Sequence, residues 1–319
     1  MTTAESTDYS TRLKELATGL RFPEGPTVLP DGDILVTELR SGTLRRIPRV
    51  GGEPYGEIVT GGSPNGTAIG PDGALYVCNS GGWRWTEIAG MNIPGDHHGT
   101  QADDYIGGRV QKVDLDSGKV EDLYTECDGH RLCAPNDLVF DSSGGFWFTD
   151  HGHVRERERD NGGLYYALVD GSSVREVVYP IASPNGVGLS PDGDKVYVAE
   201  THTGRVYSWD LAGPGQLANP NPPFGNGGSL LYGAPGPDLY DSLAIDGDGY
   251  VCVATLINGG ITAISPDGKS IRHAALPDPI VTNICFGGDD LRTAYVTLSA
   301  NGKLVAFEWP RPGLRLAHP

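Results

Sequence analysis

Short runs of alternating apolar and polar residues recur along the whole chain and are separated by turns rich in Gly and Asp. Six of these runs are rich in Val, Tyr, Phe and Trp, as the strands of a half-buried sheet are. They read DILVTE, ALYVCN, GFWFTD, KVYVAE, YVCVAT and TAYVTL. Asp-Gly between apolar runs is the strongest short-range signal of a β-hairpin. The pattern therefore predicts an all-β protein built from hairpins.

An oxygen-bearing side chain opens each hairpin at nearly the same place in a repeat. In five repeats it lies eight positions before the turn glycine, and in the sixth the turn has drifted to Gly-Gly-Asp-Asp. The pairs are Glu24 with Gly32, Asn65 with Gly73, Asn136 with Gly144, Asn185 with Gly193 and Asp241 with Gly249, and Asn283 takes the place in the sixth. Repeats of roughly 40–50 residues with about four short strands are typical of propeller blades. We expect a single domain over residues 1–319, a six-bladed β-propeller with four-stranded blades.

The N-terminal segment decides how such a propeller would close. A helix is possible near Tyr9 to Leu20, but the crossover helices of an α/β fold are lacking. We instead predict that Leu13 to Leu16 form an outer strand that pairs with the C-terminal blade, because closing the ring removes an exposed sheet edge.

Repeats in one register place equivalent side chains at equivalent positions around an axis, so the six opening residues should converge on the channel. Two carboxylates and four amides suit a hard cation, Ca²⁺ most of all, with Zn²⁺, Mn²⁺ or Mg²⁺ as alternatives. Local capping of turns by Asn and Asp is the competing interpretation. It does not account for Glu24, whose longer side chain is poorly suited to local capping. We therefore predict a metal in the central channel.

Composition narrows the class of partner. The 47 Gly and 24 Pro residues agree with many tight turns, and the net charge of −17 argues against nucleic acid as a partner. No stretch is apolar enough to span a membrane, and the N-terminus has no apolar signal core. We expect a cytoplasmic protein with a small-molecule substrate, no nucleic-acid or membrane partner, and a monomeric or small homo-oligomeric state.

The five cysteines divide into two groups. Cys78, Cys252 and Cys285 lie in apolar strands and are interpreted as small core residues. Cys127 and Cys133 flank a loop; they could form a disulfide, or remain thiols in a reducing compartment.

Blade two departs from the repeat through an insertion from Gly81 to Gly108. Long propeller loops often cover a channel mouth or build its pocket. Trp83, Trp85, His97 and His98 lie in this insertion and suit a wall over a small polar ligand, so we predict that they bind substrate. The alternative is that the tryptophans only pack the loop onto the propeller rim.

Histidines follow two analogous strands. His151 comes directly after GFWFTD, and His202 comes just after KVYVAE. The shared register predicts that both face one mouth, where they could share proton transfer, although each also suits a structural role.

Five motifs in fixed order resemble those of one known family. They are Phe22-Pro23-Glu24-Gly25-Pro26, Pro135-Asn136-Asp137, Ser183-Pro184-Asn185-Gly186, Tyr240-Asp241-Ser242-Leu243-Ala244-Ile245-Asp246 and Thr282-Asn283-Ile284-Cys285-Phe286-Gly287-Gly288. From about Leu20 to Pro310 the chain resembles the SMP-30/gluconolactonase-like propellers, whose relatives include diisopropyl fluorophosphatase and the paraoxonases. The long insertion and Asn65 depart from the animal sugar-lactonase pattern.

The resemblance implies a metal-dependent hydrolase that opens a lactone or a related cyclic or activated ester. The implied metal ligands are Glu24, Asn136, Asn185 and Asp241. Asn136 would bind the metal or hold the substrate, and we also place Asn65 among the substrate contacts. Asp241 would act as base or nucleophile while the metal polarises the carbonyl.

Two other functional classes remain open at this point. A lyase or dehydratase could use the same metal to stabilise an enolate, and the fold does not decide between elimination and hydrolysis. A non-catalytic binding propeller is expected to have lost the ring, yet every ring position is intact. No Gly-x-Ser-x-Gly signature of a serine nucleophile is present.

Overall fold

A computed structural model describes residues 5–220, 222–223 and 225–318. Thirty strands and no helix are found among these residues, so nothing in them forms a helix able to cross a membrane. Six sheets surround a central channel, which confirms the six-bladed propeller.

The strands are numbered in chain order. The first two are β1 (Glu5–Asp8) and β2 (Lys14–Ala17). Blade one contains β3 (Pro23–Val28), β4 (Ile34–Glu38), β5 (Thr43–Ile47) and β6 (Tyr55–Val59). Blade two contains β7 (Pro64–Ile69), β8 (Leu75–Asn79), β11 (Arg109–Val113) and β12 (Val120–Tyr124), and the insertion between β8 and β11 forms the hairpin of β9 (Trp85–Ile88) and β10 (Met91–Pro94). A small hairpin of β13 (Glu126–Cys127) and β14 (His130–Arg131) leads to the next blade.

The other four blades follow the same plan with additions. Blade three contains β15 (Pro135–Phe140), β16 (Gly145–Asp150), β17 (Gly162–Leu168) and β18 (Val174–Ile181). Blade four contains β19 (Pro184–Leu189), β20 (Lys195–Glu200), β21 (Arg205–Gly213) and β23 (Ser229–Gly233), with the short β22 (Gln216–Leu217) paired to β21. Blade five contains β24 (Leu239–Ile245), β25 (Val251–Leu256), β26 (Gly260–Ile264) and β27 (Ile271–Ala275), and blade six contains β28 (Val281–Gly287), β29 (Thr293–Leu298) and β30 (Lys303–Glu308).

The N-terminal segment closes the ring as predicted. Strand β2 pairs antiparallel with β30 and becomes the outer strand of blade six, so the helix considered for this region does not form. Strand β1 adds a parallel fifth strand to blade five beside β27. Since these strands are distant in sequence from their partners, closure ties the two ends of the chain together.

The strands of each blade are buried by the two neighbouring blades, which pack against its opposite faces. Alternate residues of β16 face opposite ways: Phe146 and Phe148 pack with Tyr76 of blade two, whereas Trp147 packs with Val196 of blade four. Strands β4, β8 and β16 are buried along their whole length. The prediction of half-buried strands is therefore wrong for these second strands, because another blade covers each of their faces.

All five cysteines are free, so Cys127 and Cys133 do not form the disulfide that their spacing allowed. Cys78, Cys127 and Cys252 are buried, while Cys133 and Cys285 are partly exposed. The core interpretation thus holds for Cys78 and Cys252, and Cys285 lies at the edge of the channel.

We predict that the seam between β2 and β30 limits the stability of the ring. Leu16 is buried there in a cluster with Ile34, Ile47 and Leu304, so Leu16→Ala should lower the free energy of unfolding by about 2–5 kcal/mol. The matched variant Lys14→Ala, at an exposed position of the same strand, should change it by less than about 0.5 kcal/mol. Urea unfolding measures the free energy of unfolding of both variants. Equally small changes in the two variants would show that the seam contributes little to stability.

Candidate active site

An irregularity in every innermost strand aims one polar side chain at the channel. In blade one, Pro23 pairs with Glu38, but the register has shifted by one residue when pairing resumes at Thr27 and Leu35. The same one-residue shift occurs at the corresponding place in the other five blades. Extra residues of this kind bend a strand and redirect its side chains. The side chains so placed are Glu24, Asn65, Asn136, Asn185, Asp241 and Asn283, which we call the polar ring.

The ring is shielded from solvent. Five of its members are buried, with at most 6% of their surface exposed, and Asp241 alone is partly exposed. Asp241 is therefore the most exposed residue of the ring, although burial of its carboxyl group still raises its pKa.

Two of the ring amides have a protein partner at both polar atoms, although each amide oxygen accepts only one of its two possible hydrogen bonds. Asn283 donates from Nδ2 to Oε2 of Glu24 at 2.8 Å, and its Oδ1 accepts from the backbone N–H of Ile284. Asn185 donates from Nδ2 to Oγ1 of Thr201 at 3.0 Å, and its Oδ1 accepts from the hydroxyl of Ser242 at 3.3 Å. These contacts hold the two amides in place.

The other two ring amides present unpaired oxygens. Oδ1 of Asn65 and Oδ1 of Asn136 are both buried, and neither has a hydrogen-bond partner among the described residues. An unsatisfied buried polar group costs about 1–3 kcal/mol. Two such groups beside two carboxylates therefore suggest that a positively charged ligand completes the site.

A third channel-facing carboxyl, Asp137, was missed from the sequence. Its Oδ1 accepts from the N–H of Leu138 at 2.9 Å, and it lies so close to Gly66 that a Cβ on that glycine would come within 2.4 Å of the carboxylate. The sequence does contain a signal for it. The residue after each ring position is small or apolar in the other five repeats, and it is acidic only in blade three, at Asp137.

The three carboxyl groups raise one another's proton affinity. Burial, and then the charge of Glu24, raise the pKa of Asp137 to about 7 and the pKa of Asp241 well above its usual range. Burial also raises the pKa of Glu24, although hydrogen bonds from Asn283 and Gly25 oppose this. Since burial dominates all three pKa shifts, the channel holds protons tightly, and a bound cation would offset the same charge.

These residues fit a hard divalent cation. Among the described residues, no three His, Cys, Asp or Glu side chains form a metal-binding group by themselves. The available donors are instead carboxylate and amide oxygens, which Ca²⁺ prefers.

Two histidines meet at the mouth next to the ring, which we call the histidine mouth. His151 is buried at 6% exposure, and its ring centroid lies 5.7 Å from that of the exposed His202. Nδ1 of His151 lies 2.8 Å from the carbonyl of Gly152, so in the neutral ring it donates there and leaves Nε2 as an acceptor. Burial lowers the pKa of His151 to about 3.

The blade-two insertion contacts this mouth through its two tryptophans. The Trp83 ring lies 5.8 Å from His151, on blade three. The Trp85 ring lies 5.0 Å from Phe22, just before Glu24 in blade one. The insertion therefore reaches from blade one to blade three, and its tryptophans pack it onto the rim. Its role as a pocket wall stays a prediction.

Other histidines have local roles. His153, almost fully buried, is within 3.0 Å of the Ser80 carbonyl and 3.1 Å of the Thr100 hydroxyl, which anchors the insertion to blade three. His97 and His98 are exposed, and their rings contact each other at 3.9 Å. The structure brings Trp83, His151 and His202 together, whereas the ring contact of His97 is with His98.

A cavity of about 790 Å³ lies on the far side of the ring, at the opposite end of the channel. Asp137 and Asn283 line it beside mainly apolar side chains, and residues Leu314 to His318 lie across its outer end. The ring thus separates this cavity from the histidine mouth.

Fold and ring define a six-bladed propeller with carboxylate and amide side chains gathered at one end of its channel. The chain belongs to the SMP-30/Gluconolactonase/LRE-like family, whose model matches residues 22–300. This confirms the family resemblance seen in the motifs.

Relatives of the chain include lactonases and a gluconolactonase. The chain is 29% identical over 248 residues to lactonase drp35 of Staphylococcus saprophyticus, covering 77% of this chain and 67% of that protein. It is 26% identical to a gluconolactonase of Zymomonas mobilis, covering 92% of this chain and 81% of that protein. In the drp35 protein of Staphylococcus haemolyticus, the matched region spans only 57% of its length.

Solved structures share the fold. A gluconolactonase from Xanthomonas campestris matches with a TM-score of 0.71 at 18% identity, covering 94% of this chain and 90% of that one. Regucalcin, a calcium-binding protein from Agrobacterium tumefaciens, matches with a TM-score of 0.68 at 18% identity, covering 98% of this chain and all of that one. At these identities the matches establish the architecture alone.

We predict that His151 makes the folded protein sensitive to acid. Its pKa is about 3 when folded and about 6.5 when unfolded, so the unfolded state binds the proton first as the pH falls. Below about pH 6, this one group should cost up to about 1.4 kcal/mol of unfolding free energy per pH unit, until the folded pKa is reached. His151→Asn keeps a donor near Gly152 and removes the titration, so its stability should fall less steeply.

Urea unfolding of both proteins at pH 7, 6, 5 and 4 measures the difference. His98→Asn, at an exposed position, is the control and should follow the wild-type curve. Parallel curves for His151→Asn and the wild type would show that His151 is not held neutral in the folded state.

Proposed function

We propose that this protein is a metal-dependent hydrolase that opens a lactone or a related activated ester. The observation that carries the proposal is the cluster of three buried carboxyl groups without a neutralising basic residue, beside two unpaired amide oxygens. Family membership and the names of the relatives support lactones as the substrate class.

Glu24, Asn136, Asn185 and Asp241 would hold the cation, with Ca²⁺ as the first expectation. When bound, it supplies stabilisation for the negative charge that develops on the lactone carbonyl oxygen. Asn136 directs its oxygen into the site through an unpaired Oδ1, whereas Asn185 is held in position by Thr201.

Asp241 is the ring carboxylate best placed for the reaction, because it alone is partly exposed. As a base, it takes one proton from a water molecule while the water oxygen bonds to the carbonyl carbon. As a nucleophile, it bonds to that carbon itself, and water then cleaves the acyl-enzyme. In either case the ring C–O bond breaks and the alkoxide needs a proton.

The histidine mouth is suited to carry that proton. Nε2 of His151 is an acceptor, and the depressed pKa of this imidazole means that a proton taken up there is passed on readily. His202 touches the His151 ring and is exposed, so it can exchange protons with solvent. The Trp83 ring also lies against His151, with 5.8 Å between the ring centroids.

A substrate screen tests the reaction class. Purified protein is given δ- and γ-lactones, aryl esters and organophosphates with Ca²⁺, Mn²⁺ or Zn²⁺, and acid release is recorded. Metal-dependent acid release from lactones is expected. Formation of an unsaturated acid from a hydroxy acid, without lactone opening, would identify a lyase instead.

Glu24→Gln should abolish the thermal stabilisation that Ca²⁺ gives the wild type. A ligand at 100 times its Kd adds about 2.7 kcal/mol to the free energy of unfolding, provided that it binds only the folded state. With chelator present, the variant should melt at the wild-type temperature or above it, because one of three mutually repelling carboxylates is gone. Thermal melts with chelator and with Ca²⁺ measure both effects.

Glu57→Gln removes an equal charge at an exposed pair with Arg45 and should keep the full calcium response. Elemental analysis gives the metal content of each protein. One equivalent of ion retained by the Glu24→Gln/Asp241→Asn double variant would contradict the proposed ligands.

We predict that the insertion selects substrate rather than performing the chemistry. Trp85→Ala should raise KM and change preference among lactones while kcat and metal content stay close to wild type, because it removes a binding wall. Ile88→Ala, at an exposed position of the same hairpin, is the control. A folded, metal-loaded Trp85→Ala protein with normal KM and a kcat lowered by orders of magnitude would place catalytic function in the insertion.

A further inference from the structure

The ring side chain from blade two, Asn65, is not among the four proposed metal ligands. Asn65 is 4% exposed, and its Oδ1 is buried without a hydrogen-bond partner in the described parts of the chain. We propose that Asn65 is a fifth protein ligand of the channel cation and that it favours Ca²⁺ over Mg²⁺. This rests on the proposed function only in requiring that a cation binds in the ring.

Backbone geometry places Asn65 as it places the ligands of the other blades. Pro64 pairs with Asn79, and pairing resumes one residue out of register at Thr67. The same shift surrounds Asn136 in blade three. The two asparagines therefore occupy equivalent positions in adjacent blades.

Close contact between these strands supports the placement. A Cβ on Gly66 would lie 2.8 Å from the backbone oxygen of Asn136, and a Cβ on Gly25 would lie 2.3 Å from the backbone oxygen of Asn65. The innermost strands of blades one, two and three are thus in contact at the ring. Asn65 lies between Glu24 and Asn136, two of the proposed ligands.

The other two ring asparagines, besides Asn65 and Asn136, have hydrogen-bond partners within the protein. Both polar atoms of Asn283 are used, by Glu24 and by the backbone of Ile284. Oδ1 of Asn185 accepts from Ser242. Among the four ring amides of the described chain, Asn65 and Asn136 have an Oδ1 without a hydrogen-bond partner. Since Asn136 is already a proposed ligand, Asn65 is equally available to bind the cation.

A fifth ligand changes which cation the site prefers. Ca²⁺ accepts six to eight oxygens in flexible geometry, whereas Mg²⁺ requires a near-ideal octahedron with short bonds and keeps several waters. Five oxygens from five separate blades leave room for water and a substrate carbonyl around Ca²⁺. Around Mg²⁺ they would force the loss of most of its water.

Calorimetric titration with Ca²⁺ and with Mg²⁺ tests the proposal directly, without any substrate. Asn65→Ala should bind Ca²⁺ at least tenfold more weakly than wild type, and its affinity for Mg²⁺ should change less. Asn65→Asp restores an oxygen and should bind Ca²⁺ at least as tightly as wild type. Asn301→Ala truncates an exposed amide that donates to the Pro277 carbonyl, outside the polar ring, and should leave both affinities unchanged.

Melting curves with chelator establish whether each variant is folded. If Asn65→Ala does not fold, Asn65→Leu replaces it, because leucine keeps the side-chain volume. Ca²⁺ affinity within twofold of wild type in the folded variant would overturn the proposal. An accompanying rise in KM would assign Asn65 to the substrate instead. Failure of wild type to bind any divalent cation would overturn the proposed function as well, which distinguishes the two failures.

Discussion

Burial of three carboxyl groups in one narrow channel is the constraint on which the site depends. Glu24, Asp137 and Asp241 lose hydration there and repel one another, and each has a raised pKa as a result. A propeller places such groups together because every blade brings one strand to the axis. Because burial raises all three pKa values, the folded channel holds protons more tightly than exposed carboxylates do, and a bound cation would offset the same repulsion.

Closure of the ring stabilises the fold against the repulsion among these carboxyl groups. The second strand of each blade is buried on both faces, and large aromatic residues such as Trp147 and Phe148 fill the space between blades. The N-terminal strand β2 then joins β30 and supplies the outer strand of blade six. Rigid packing keeps the channel narrow, so movement of the blades gives the carboxyl groups little relief from their repulsion.

Under the proposed function, the separation of ring and insertion would allow the same architecture to keep its chemistry while its substrate changes. The ring is built from strand positions in a common register, which leaves little freedom to alter one member alone. The blade-two insertion lies outside that register and touches the mouth through Trp83 and Trp85. It can therefore vary in length and sequence without disturbing the blades that carry the polar ring.

The six-fold repeat, the strand pattern and the ring positions could all be read from the sequence, because register in a β-structure is a local property of side-chain alternation and turn spacing. Closure by the segment around Leu16 also followed, since an unpaired edge is unfavourable in any propeller. The role of Asp137 did not, because strict alternation points neighbouring residues to opposite faces, and only the irregularity after Pro135 brings both Asn136 and Asp137 to the channel. Likewise, four asparagines that look equivalent in the sequence differ in the folded protein. Tertiary contacts satisfy Asn185 and Asn283 and leave the oxygens of Asn65 and Asn136 free, because hydrogen-bond partners from other blades exist only once the ring has closed.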